Sequence, residues 1–73
     1  MWHMEEQVFV GNGIEIVKRE GKYYLKYDAG EICDRIKQIQ ITDAEMKLAQ
    51  KSSIDAYNVI IQYQNKGIYG EDA

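Results

Sequence analysis

The sequence predicts a small α+β domain, a four-stranded antiparallel meander followed by two helices packed on one face of the sheet (ββββαα). Three observations carry this expectation. Short runs rich in β-branched and aromatic residues are separated by glycine-bearing turns. The segment after the last run opens with a capping-box pattern. Beyond it, apolar residues recur at helical spacing.

The elements follow in order. Residues 1–6, "MWHMEE", read as a loose lead. "QVFV" and "IEIV" flank Gly11-Asn12-Gly13, and Asn12-Gly13 is the preferred pair for a two-residue type I′ hairpin turn. "EIVKR" and "KYYLK" flank Glu20-Gly21, a second hairpin. This turn sets Ile16 opposite Leu25, Ile14 opposite Tyr27, Glu15 opposite Lys26 and Val17 opposite Tyr24, with Arg19 poorly matched to Lys22. The first turn sets Phe9 opposite Ile16 and Val8 opposite Val17. "IKQIQI", Ile36 to Ile41, is the fourth strand.

Thr42 and Glu45 of "TDAE" form the capping box of a short helix ending near Ser52, with Ile41 and Met46 placed as a hydrophobic staple. Ser52 or Ser53 caps a second helix, with Asp55 in its first turn. Its apolar stripe is Ala56, Val59, Ile60 and Tyr63, widened by Tyr57 and Ile61. Gly67 suits the C′ position, with Ile68 making the accompanying apolar contact. Residues 69–73 read as a frayed tail. The whole chain, 1–73, is expected to form one domain, without linkers, repeats or prolines.

Size and charge narrow the function. A chain of 73 residues has little room for a deep enclosed pocket. Its 12 acidic and 9 basic side chains give a net charge of −3, which disfavours phosphate-rich partners and favours a basic one. Cys33 is the only cysteine, so no intramolecular disulfide can form. No secretion-signal pattern is present, and the longest apolar run, Val59-Ile60-Ile61, is too short to span a bilayer. The expectation is a soluble cytoplasmic protein with no membrane partner.

Chemistry-bearing motifs are sparse, and no cofactor is expected. His3, the single histidine, stands in the lead with no nucleophile near it, and Cys33 has no histidine partner. Asp28, Glu31 and Asp34 in "DAGEICD" invite a calcium reading. They lack the alternate-position oxygen ligands and closing glutamate of an EF-hand, so they read as an acidic solvated loop. No zinc ligand set occurs. "GNG" precedes no helix, so it is a turn rather than a phosphate cradle. The chain is therefore read as a non-enzyme.

The tyrosines of "GKYYLKYDAGE" divide by strand alternation. Tyr23, Leu25 and Tyr27 join Phe9, Ile14, Ile16, Ile39 and Ile41 on the face that the helices cover. Tyr24 lies on the other face with Lys22 and Lys26, among Val8, Val10, Val17 and Ile36. Those valines have two readings, plain β-propensity or a patch that meets another protein or a second copy.

The run "GNGIEIVKREGKYYLKYDAGE", with "IQITDAEMKLAQKS" and "DAYNVIIQYQ", resembles small bacterial immunity proteins. These accompany polymorphic or contact-dependent toxins and neutralise them in the cytoplasm. The resemblance implies a non-enzymatic inhibitor that binds a toxin domain, commonly a nuclease, with acidic groups facing the toxin's basic cleft. Tyr24 with Asp28, Glu31 and Asp34 is the expected contact surface. Two alternatives stand beside it: a homo-oligomeric domain pairing through Val8, Val10 and Val17, and a single-stranded nucleic-acid binder built on Tyr24, Lys22 and Lys26.

Overall fold

A computed structural model describes residues 5–28 and 36–72. The strands are β1 (Glu5–Gly11), β2 (Ile14–Arg19), β3 (Lys22–Asp28) and β4 (Ile36–Ile41), followed by helices α1 (Asp43–Ala49) and α2 (Ser53–Asn65). The ββββαα order is as predicted. A fifth strand, β5 (Glu71–Asp72), then returns to pair with Gln38 and Lys37 of β4. The sheet is antiparallel throughout, in the order β1-β2-β3-β4-β5. Two expectations about the termini are corrected here. Glu5 and Glu6 belong to β1, and the tail is tied to the sheet as far as Asp72.

Both hairpins turn through residues of positive φ, Asn12 (54°) with Gly13 (78°) and Glu20 (53°) with Gly21 (78°). That is the backbone of type I′ turns, whose twist matches that of the flanking strands. The β2–β3 register is the expected one at every pair, Arg19 opposite Lys22 included. The β1–β2 register holds at Phe9 and Ile16 but shifts between Gln7 and Phe9. Gln7, not Val8, faces Val17. The extra residue is a bulge at Val8. It lets Val8 pack against the core beside Phe9 and keeps Gln7 out of it, so burial of an apolar side chain outweighs one regular ladder step.

The core lies between the sheet and the helices. Ile14, Ile16, Leu25, Tyr27, Ile39 and Ile41 meet Met46 and Ala49 of α1 and Ala56 and Val59 of α2, with Tyr23, Leu48, Ile60 and Tyr63 at the margin. At the start of α1, Thr42 Oγ1 accepts from the Glu45 amide, Glu45 Oε1 accepts from the Thr42 amide, and Ile41 and Met46 are both buried. The helix stops at Ala49, earlier than expected. There the Asn12 side-chain amide donates to the carbonyls of Ala49 (3.3 Å) and Gln50 (3.5 Å), so the turn of the first hairpin caps the helix. Ser52, rather than Ser53, caps α2, accepting from the Asp55 amide. At the other end Gly67 donates to Gln64 O and Ile68 to Tyr63 O, both at 2.9 Å, which is a Schellman motif.

The C-terminal segment is held at two points. The Tyr27 hydroxyl donates to Tyr69 O at 2.7 Å. Gly70, at φ +85°, passes so near β4 that a Cβ there would sit 2.8 Å from Gln38 O. Only glycine fits this approach.

Candidate functional site

Strand alternation puts Glu5, Gln7 and Val10 of β1 on the sheet face that turns away from the helices. Glu15, Val17 and Arg19 of β2, Tyr24, Lys26 and Asp28 of β3, and Ile36, Gln38 and Gln40 of β4 share that face. A connected polar layer covers part of it. Glu5 accepts from Arg19 through Oε2 (2.9 Å) and from Lys26 through Oε1 (2.7 Å), so one carboxylate serves two cations. Arg19 Nη2 also donates to Gln38 Oε1 (3.1 Å), and its guanidinium lies 4.7 Å from the centre of the Tyr24 ring. Gln7 donates to Glu15 at 3.3 Å. The bond from Lys26 and then that from Arg19 hold the Glu5 carboxyl below its ordinary value, against the opposing effect of burial.

The exposed valine face is not formed. Val17, flanked across the strands by Gln7 and Tyr24, is only 1% exposed. Val8 is on the helix side, packed against the core. Only Val10 is open, at 62%, near the end of the sheet where Ile36 also emerges. The bulge removed one valine from the patch, and another, Val17, is buried between its cross-strand neighbours Gln7 and Tyr24.

Tyr24 is half-buried, with Arg19 over its ring. Lys26, which flanks Tyr24 in the nucleic-acid alternative, is bound to Glu5 rather than open beside the ring. Asp28 is exposed on the same face, about 13 Å along the strand from Tyr24. Glu31 and Asp34 lie outside the described residues, as do Cys33 and His3.

A cleft of about 500 Å³ that sequence reasoning missed opens beside Tyr24. Tyr24, Gln38 and Gln40 line it from the sheet, and Ile68, Tyr69 and Glu71 from the C-terminal segment. Tyr69 is 61% exposed while its backbone carbonyl is held by Tyr27. The signal was present in "GIYGED": two large apolar residues between glycines are unusual for a frayed end.

A second exposed feature lies on α2. Tyr57, expected to widen the core stripe, points away from it at 62% exposure, and Ile54 is 72% exposed. Between the helices the Tyr63 hydroxyl donates to Glu45 Oε1 at 2.5 Å. Among the described residues no three His, Cys, Asp or Glu side chains converge as a metal site, and no helix is long and apolar enough to cross a membrane.

Together these features define a small α+β protein with one sheet face buried by helices and the other partly covered by ion pairs beside an aromatic cleft. Compared with protein-family models, curated proteins and solved structures, the chain finds a match in none of the three.

Proposed function

We propose that the chain is a non-enzymatic protein-binding module of the bacterial cytoplasm, an immunity protein that neutralises a cognate toxin by stoichiometric binding. The observation that carries this reading is the cleft between Tyr24 and Tyr69. Tyr69 is exposed, yet the Tyr27 hydrogen bond and the β4–β5 pairing restrain its backbone. An aromatic side chain presented in this way binds with little loss of entropy, which is the character of an interface anchor. Arg19 likewise holds the ring of Tyr24. Glu71 at the cleft and Asp28 further along the face add negative charge, in keeping with the chain's net charge of −3. Such a surface suits a basic toxin domain, for example a nuclease, because charge complementarity speeds encounter and suppresses wrong partners.

The test is a calorimetric titration against the toxin domain encoded beside this chain, paired with a toxin activity assay. The expected result is a one-to-one complex without toxin activity. Tyr69→Ala should weaken it at least tenfold, about 1.4 kcal/mol. Failure of the wild-type chain to bind or inhibit would overturn the function, and unchanged affinity in Tyr69→Ala would overturn the site.

A further inference from the structure

The two edges of the sheet are finished differently. β1 carries the bulge at Val8 and the exposed carboxylates Glu5 and Glu6, devices that discourage further pairing at a strand edge. β5 closes β4 only at Lys37 and Gln38. The direction of the other β4 backbone groups follows from the hairpin at Glu20-Gly21. Arg19 and Lys22 flank that two-residue turn as a hydrogen-bonded pair. Tyr24 and Lys26 therefore bond to β2, while Tyr23, Leu25 and Tyr27 bond to Ile41, Ile39 and Lys37 of β4. Gln38 and Gln40 are left with N–H and C=O groups pointing off the edge. Gln38 agrees, since its carbonyl oxygen is the atom that a Cβ on Gly70 would strike. β5 pairs with Gln38, but at Gly70 the chain leaves that line, and Tyr69 O is held by Tyr27 on the helix side. Thr42 is also engaged, its amide with Glu45 and its carbonyl with Met46. Between these two, the backbone of Gln40 opens into the cleft with no partner among the described residues.

We infer that the cleft receives an extended segment of a partner protein, which adds to the edge of β4 in line with β5 and presents a lysine or arginine side chain to Glu71 and Tyr69. This rests on the cleft being the binding surface, and not on the partner being a toxin. The open groups select the backbone. An amide and a carbonyl side by side on a strand edge are both matched by one residue of an extended peptide. Charge selects the side chain. A residue opposite Gln40 projects to the face that Gln40 shares with Tyr24, two positions along the β5 line from Glu71, or about 7 Å. Glu71 lies across from Gln38 and so turns to the same face. It is exposed, and its carboxylate enters no ion pair among the described residues. The exposed ring of Tyr69 offers a cation a π face beside it. An acidic side chain would instead meet Glu71 and a chain of net charge −3. Only one residue can pair in this way, because Gln38 and Thr42 are already bonded. The backbone contact is therefore weak alone, and the cation supplies the selectivity.

The test is amide hydrogen exchange and heteronuclear NMR of the whole chain with the blocked peptide acetyl-Thr-Val-Lys-Val-Thr-amide, whose β-branched residues favour the extended form. In the free protein the Gln40 amide should exchange fast and those of Ile39 and Ile41 slowly. At about 5 mM peptide the Gln40 amide should shift downfield and become protected. Methylating the peptide's lysine nitrogen removes one of the two hydrogen bonds, and replacing that lysine by glutamate reverses the charge. Each change should weaken binding about tenfold, and Glu71→Gln should weaken the lysine peptide about threefold. A Gln40 amide already protected in the free protein would overturn the inference, as would no response at Gln40 to the peptide. Equal binding of the methylated or glutamate peptide would do the same. The outcome is separable from that for the function. A toxin complex in which the Gln40 amide still exchanges fast would overturn this inference alone, and peptide binding without toxin binding would overturn the function alone.

Discussion

Tyr63 and Glu45 show how burial and a shared hydrogen bond together set two ionisations. Burial first, and then the bond to and charge of Glu45, push the Tyr63 hydroxyl up to about 12. Burial opposes ionisation of Glu45, but its bonds from Tyr63 and Thr42 outweigh it and hold the carboxyl below its ordinary value. The consequences for stability have opposite signs. The contribution of Tyr63 is complete below its ordinary value of 10 and is lost as pH rises towards 12. That of Glu45 is present above 4.5 and is lost as pH falls through its depressed value. An ultraviolet titration of the tyrosines should show one ionising near 12. In Glu45→Gln, which keeps an amide able to complete the capping box, that ionisation should move down and the alkaline loss of stability should shrink. An unmoved titration would mean that Glu45 is not the cause.

At the scale of elements, each connection serves two neighbours. Ser52 ends the link from α1 and starts α2, which is why α1 cannot run on to Ser52 as its sequence suggests. Its hydroxyl accepts from the Asp55 amide at 3.1 Å, while Ser53 is exposed in the first helical turn. Ser52→Ala should therefore cost about 1 kcal/mol in urea denaturation, and Ser53→Ala within about 0.5 kcal/mol of nothing. Equal costs would place the cap wrongly. The Asn12 side chain works in the same manner, completing a hairpin turn while its amide caps α1. Both turns were legible because positive φ at two successive residues strongly favours Asn-Gly and its relatives. That Asn12 also reaches α1 was not legible, since the partner lies 37 residues away.

Across the whole molecule, the sheet has two coverings of different chemistry. The helices bury one face with apolar side chains, while Glu5, Arg19, Lys26, Tyr24 and Gln38 close part of the other. Val17 belongs to this second layer, fully covered yet outside the main core. Val17→Ala should cost about 1.5–3 kcal/mol, whereas Val10→Ala on the same face should cost less than about 0.5 kcal/mol. Thermal or chemical denaturation of the pair checks this, and a small loss at Val17 would mean that the polar layer does not seal it. The same layer narrows the proposed binding surface, because it uses Arg19 and Lys26 beside Tyr24 internally and leaves Tyr69 as the exposed aromatic group of the cleft.

The sequence by itself determined the ββββαα order, the β2–β3 register, the division of Tyr23 and Tyr27 from Tyr24, and the capping box at Thr42. All of these rest on local periodicity and turn chemistry, which act over a few residues. Only the tertiary structure decided the bulge at Val8, the sealing of Val17, the pairing of β5 and the cleft between Tyr24 and Tyr69. Each depends on which distant side chain or strand comes to lie alongside. Glu5 can be matched to Arg19 and Lys26, or Tyr69 to Tyr27, only once the meander has brought them together, because ion pairs and close packing depend on distance in space rather than along the chain.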